Sequence, residues 1–79
     1  MIISAEISYY PLTDDYVVAV HTFIQRILDA HASVEVGKMS TIVTGEHEVI
    51  MRVLTEAMGE LMKKYASVFT LKISNSCPV

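Results

Sequence analysis

Glu6, Ser8 and Tyr10 stand two residues apart, a spacing that puts a carboxylate, a hydroxyl and a phenol on one face of a strand. A second polar group, Ser40, Thr41 and Thr44, follows Met39 and is closed by Gly45. Asp14 and Asp15 come just after Pro11, and Ser74 stands near the other end. Carboxylates, hydroxyls and an aromatic face hold a polar or cationic molecule by charge, hydrogen bonding and stacking. They do not by themselves break bonds, and no nucleophile with its base and no matched acid and base stand out among them. The other reactive groups are badly spaced for chemistry. His21, His31, His47 and Cys77 lack a metal-ligand pattern, so no metal site is expected. Cys77 has no local histidine pattern to mark a nucleophile. The glycines at 37, 45 and 59 stand alone rather than in a phosphate-cradling loop, and no cofactor is expected.

These side chains need elements to carry them, and the hydropathy pattern supplies six. Residues Ile2 to Tyr10 alternate, with Ile3, Ala5, Ile7 and Tyr9 on one face and Ser4, Glu6, Ser8 and Tyr10 on the other, as in a half-buried strand. Pro11 ends its ladder, and Thr13, Asp14 and Asp15 offer oxygens to free helical amides, so a helix is expected from Thr13 or Asp14 to about His31. Its apolar stripe is read as Val17, Val20, Ile24, Ile27 and Leu28. Ser33 to Val36 is a short second strand, and Gly37-Lys38 permits a turn. Met39 to Thr44 reads as a third strand, with Gly45 as a turn residue. Glu46, His47 and Glu48 open a longer helix, striped by Val49, Ile50, Val53, Leu54, Ala57, Met58, Leu61 and Met62 and closed by Lys63 and Lys64. Val68 to Ser74 alternates again, Phe69, Leu71 and Ile73 against Thr70, Lys72 and Ser74.

The order βαββαβ is the ferredoxin-like α+β plan, a four-stranded antiparallel sheet with both helices on one face and the first and third strands central. The other face, carrying Ser4, Glu6, Ser8, Tyr10, Thr70, Lys72 and Ser74, is left for a partner or a ligand. With 79 residues the chain is read as one domain, 1–79. A chain of that size removes only roughly 60% of its unfolded surface from water. Over half its residues are nonetheless apolar, which suggests burial against another copy. The basic residues are few and scattered at Arg26, Lys38, Arg52, Lys63, Lys64 and Lys72, with no stripe for a phosphate backbone, so nucleic acid is not an expected partner. No stretch approaches the ~20 apolar residues of a membrane span, and Met1 to Ser8 do not read as a leader. With a single Cys77 the expected location is cytoplasmic.

Ile7-Ser8-Tyr9-Tyr10-Pro11-Leu12-Thr13-Asp14-Asp15, Ser40-Thr41-Ile42-Val43-Thr44-Gly45 and Ile73-Ser74-Asn75-Ser76-Cys77-Pro78 together resemble one repeat of the YkoF-like thiamine-binding family, over nearly the whole chain and in the same order. The resemblance implies a ferredoxin-like domain that binds thiamine or its hydroxymethylpyrimidine part unchanged, as carrier, buffer or sensor in uptake or salvage. The family's founding member carries two repeats in one chain. One repeat here implies a homodimer, or a dimer of dimers, in place of the tandem. Carried over from the family pattern as ligand-binding residues are Ser8, Tyr10, Pro11, Asp14, Ser40, Thr41, Gly45 and Ser74; Glu6 is added from its chemistry and Met39 as a pocket-lining side chain.

Each has a plainer role open to it. Ser8 and Ser74 can be polar residues on a solvated face, Asp14 and Asp15 helix caps, Tyr10 a dimer contact, and Glu6 a cross-strand partner of Lys72. Three functions therefore stand side by side: a small-molecule binder, a structural oligomerisation module with no ligand, and, last, a small enzyme.

Overall fold

The alternation of the first strand has its expected result: Ile3, Ala5 and Ile7 are each at most 1% exposed on one face of β1 (Ile2–Pro11), while Ser4, Glu6 and Ser8 occupy the other. The computed structural model describes residues 1–30 and 32–76. The further elements are α1 (Tyr16–Leu28), β2 (Ser33–Val36), β3 (Thr41–Glu46), α2 (His47–Lys64) and β4 (Ser67–Ser74). They form a four-stranded sheet ordered β2-β3-β1-β4, every neighbouring pair antiparallel, with β3 and β1 central. This is the ferredoxin-like α+β fold. Among the described residues no helix is long and apolar enough to cross a membrane.

The core lies between the helices and the odd-numbered face of β1 and β3. It joins Ile3, Ala5, Ile7 and Val43 of the sheet to Ala19, Phe23 and Ile27 of α1 and Ile50, Leu54, Ala57 and Leu61 of α2. Each large aliphatic side chain so buried contributes about 1.5–3 kcal/mol relative to an exposed one. Around Phe23 the packing becomes aromatic. Tyr9 and Phe69 stack across β1 and β4 with centroids 4.2 Å apart, and the Phe23 ring tilts against both at 5.5 and 5.4 Å.

Several expectations need correcting, each for a local reason. Helix α1 begins at Tyr16, not Thr13 or Asp14, because the Thr13 hydroxyl accepts the Asp15 N–H at 3.2 Å and holds a turn there; Asp15 is the first flanking residue but makes no side-chain cap bond. The helix ends at Leu28, and His31 lies outside the described residues. Its buried stripe is Ala19, Phe23 and Ile27, flanked by Val20 and Ile24. Val17 and Leu28, at 66% and 47% exposure, are off it, because the residues four apart from Ala19 point at the sheet and these two do not. Strand β3 starts at Thr41, so Met39 and Ser40 belong to the turn before it. Gly45 is not a turn residue. It sits within β3 opposite Ile3, where a Cβ would come 3.1 Å from Cδ1 of Ile50. In α2, Met62 is exposed. In β4, Leu71 and Ile73 do share the sheet face of Ala5 and Ile7, but β4 is an edge strand that the helices cover only in part, and both stay more than a third exposed. The thiol at Cys77 and the neighbouring Pro78 lie outside the described residues.

Candidate functional site

Strand register sorts the polar residues of the open sheet face into rows. Ser33, Thr44, Ser4 and Ser74 lie side by side across all four strands, and the next row is Glu35, Ile42, Glu6 and Lys72. Ser8 and Thr70 follow, then Tyr10 opposite Val68. The hydroxyls of Ser4 and Thr44 are 3.0 Å apart in hydrogen-bond contact, and Lys72 Nζ stands 3.9 Å from Glu6 Oε1. Glu6 therefore has the cross-strand partner that its position opposite Lys72 predicts, an exposed pair contributing at most about 1 kcal/mol. Over the first two rows lies a shallow depression of about 470 Å³, floored by Ile42. It is a polar face, rich in hydroxyls.

The second group of predicted residues gathers at one end of the sheet, around the turn that joins β2 to β3. Gly37 N–H donates to the Ser40 carbonyl at 2.9 Å and closes this turn. Only glycine fits at 37, since a Cβ there would lie 2.9 Å from that same backbone oxygen. Two side chains of β1 brace the turn from the open face. Ser8 Oγ donates to the Met39 carbonyl at 3.3 Å, and Ser40 Oγ donates to Glu6 Oε2 at 3.0 Å. Glu6 and Ser8 thus brace the turn, and Glu6 also lines the depression on the open face.

Beneath the turn, on the helix side of the sheet, is a cavity of about 180 Å³. Ile7, Tyr9, Val20, Phe23 and Ile24 give it apolar and aromatic walls, and residues 37–41 close it. Thr41 is 6% exposed, and among the described residues its hydroxyl makes no hydrogen bond. Among the described residues no fully enclosed side-chain oxygen or nitrogen lacks a partner, so the Thr41 hydroxyl keeps some solvent access, and Thr41 is part of the cavity lining. Such a lining, apolar and aromatic side chains beside a hydroxyl residue and the backbone of a turn, suits a small heterocycle with both apolar and polar edges.

Of the predicted residues, then, Met39, Ser40 and Thr41 meet at this cavity, with Glu6 and Ser8 bracing it from behind. Tyr10 and Ser74 lie on the open face, where Ser74 Oγ is engaged in a local turn with Ser76. Pro11 ends β1 opposite Ser67, Asp14 is an exposed residue of the loop before α1, and Gly45 packs on α2. The cavity walls Tyr9, Val20, Phe23 and Ile24 were not among the site residues expected from sequence. Nothing in their types separates them from core residues, and only their packing around an unfilled volume marks them.

A third depression, about 350 Å³, lies between the helices around Arg26, Asp29, Val53, Glu56 and Glu60. Arg26 spans it with a two-pronged bond to Glu60, at 2.9 and 3.2 Å. That bond, and then the charge of the guanidinium, holds the Glu60 carboxyl below its usual range, and the same partner raises Arg26. Among the described residues no group of three His, Cys, Asp or Glu is placed to hold a metal ion.

No family model matches the chain, and no curated protein matches it. Solved structures do. A Streptococcus pneumoniae protein superposes with a TM-score of 0.90 at 21% identity, covering 98% of this chain and 89% of its own. A domain of unknown function from Bacillus cereus gives a TM-score of 0.83 at 24% identity, covering 100% of this chain and 82% of that one. Both establish the fold. A Thermotoga maritima protein, named as a candidate thiamine biosynthesis/salvage protein, gives a TM-score of 0.86 at 25% identity over 96% of this chain and 85% of that one.

Proposed function

We propose that this chain binds thiamine or its hydroxymethylpyrimidine part without changing it, in the helix-side cavity under the 37–40 turn, and serves as a carrier, buffer or sensor in thiamine uptake or salvage. The observation that carries this reading is Thr41, 6% exposed and without a hydrogen-bond partner for its hydroxyl among the described residues, in the lining of a small cavity with Tyr9 and Phe23 in its walls. An aminopyrimidine fits such a lining, with a small ring to pack against the apolar walls and ring-edge donors and acceptors for Thr41 and the turn. The likeness to the Thermotoga protein supports the same ligand class. The reading is non-catalytic, since the slot gathers no acid, base and nucleophile.

Replacing Thr41 by Val tests it. Removing a hydroxyl that has no protein partner is expected to leave the urea midpoint essentially unchanged, while hydroxymethylpyrimidine affinity falls by roughly two- to tenfold, the worth of one net hydrogen bond. Equal calorimetric affinity for both proteins would remove the cavity from consideration.

The same reading includes assembly into a homodimer or dimer of dimers. Strand β4 has β1 on one side and no strand on its other among the described residues, and it exposes Val68, Leu71 and Ile73 along eight residues. A free edge of that length and apolarity favours pairing with a second copy. Sedimentation at micromolar protein should give at least twice the chain mass, and replacing Leu71 by Lys should lower it; a monomer under the first condition would refute this part alone.

A further inference from the structure

We infer that the helix-side cavity is built for the pyrimidine half carrying an anionic group on its hydroxymethyl arm, such as a phosphate monoester, and selects it over intact thiamine. The inference rests on the ligand class proposed above and adds a choice within it. Size is the first ground. At about 180 Å³ the cavity falls below the roughly 300–1,000 Å³ of sites that enclose a drug-sized ligand, so it encloses one ring and leaves whatever is joined to that ring at its mouth. Charge is the second. Among the ten lining residues, Lys38 carries the one charged side chain, and no carboxylate is present.

Thiamine brings a permanent cation, and a site for it needs a carboxylate or an open aromatic face beside the thiazolium. The carboxylate nearest in the fold, Glu6, does not serve. Its Oε2 accepts from Ser40, its Oε1 faces Lys72, and both contacts lie on the opposite face of the sheet. The ring faces of Tyr9 and Phe23 are largely spent on each other and on Phe69. A thiazolium at the mouth would meet Lys38 with like charge, whereas a phosphate there meets a cation.

Lys38 is exposed, so its effect is screened and moderate. Three probes are titrated in a calorimeter at low salt: hydroxymethylpyrimidine, its phosphate monoester and thiamine, each against wild type, Lys38→Gln and Lys38→Glu. Wild type is expected to bind the phosphate ester most tightly and thiamine least. Lys38→Gln should weaken the ester by about two- to fivefold and leave the unphosphorylated pyrimidine unchanged, as expected of an exposed ion pair. Lys38→Glu should narrow or invert the order. Thiamine binding as well as the ester, with no response to either substitution, would overturn this inference and leave the proposed function standing. Absence of heat with all three probes would overturn both.

Discussion

Replacement of Phe23 by Ala is expected to remove a large part of the protein's stability and to lower its urea midpoint sharply. Phe23 is 2% exposed, on the inner face of α1, and its ring is the one that joins the Tyr9–Phe69 stack to the helix layer. Truncating a buried Phe to Ala costs about 3–5 kcal/mol in lost transfer free energy and residual cavity. At roughly 0.05–0.15 kcal/mol per residue, a chain of 79 residues has a total stability of about 4–12 kcal/mol, so the loss takes a large share of it. Urea denaturation followed by circular dichroism measures it. Phe23→Leu, which keeps most of the volume, should retain a cooperative transition. If Phe23→Ala shifts stability by less than about 1 kcal/mol, the aromatic cluster is not the centre of the core.

The second large effect is expected at Gly45, and its pattern matters more than its size. Gly45 lies in β3 with its φ outside the left-handed region, so no backbone strain awaits a side chain there. The constraint is space. A Cβ would meet Ile50 at 3.1 and 3.5 Å and Ala32 at 3.7 Å, and Ile50 is itself 1% exposed with nowhere to move. Gly45→Ala asks one methyl of Ile50 to shift by a few tenths of an ångström. Gly45→Val adds two further methyls to a filled layer, and overpacking of this kind costs about 1–3 kcal/mol. The valine variant should therefore be clearly less stable than the alanine variant by thermal and chemical unfolding. Had Gly45 been the turn residue that its place after Thr44 suggests, alanine and valine would be penalised almost alike. Equal losses for the two variants would restore that view.

The strands were legible because period-two alternation is a local property. Ile3, Ala5 and Ile7 against Ser4, Glu6 and Ser8 can be read in one direction only, and the structure has them so. The pairing of Glu6 with Lys72 followed from the same parity once the topology was set. Helix α1 was legible as a helix but not in its facing. Val17, Val18, Val20, Phe23, Ile24, Ile27 and Leu28 surround so much of the cylinder that more than one apolar stripe can be drawn through them, and contact with the sheet selects Ala19, Phe23 and Ile27. The aspartates after Pro11 carried a helix-start signal that Thr13 pre-empted by taking the Asp15 amide.

For the candidate site the division is similar. Ser40 and Thr41 could be picked out as polar residues after Met39 and next to a glycine turn, and Glu6 with Ser8 as a polar row on a strand. That the two groups meet across the sheet, with Ser8 and Glu6 bracing the turn while Thr41 faces the other way, depends on the β1–β3 register. Sequence by itself determined the order βαββαβ, the polar and apolar faces of the strands and the residue types available for recognition, because each rests on periodicity within a few neighbouring residues. Tertiary structure alone decided which helix face is buried, that Gly45 packs on Ile50, and that Tyr9, Phe23 and Lys38 share a cavity with Thr41. Those outcomes depend on contacts between residues far apart in the chain, where shape and volume, rather than pattern, choose the partner.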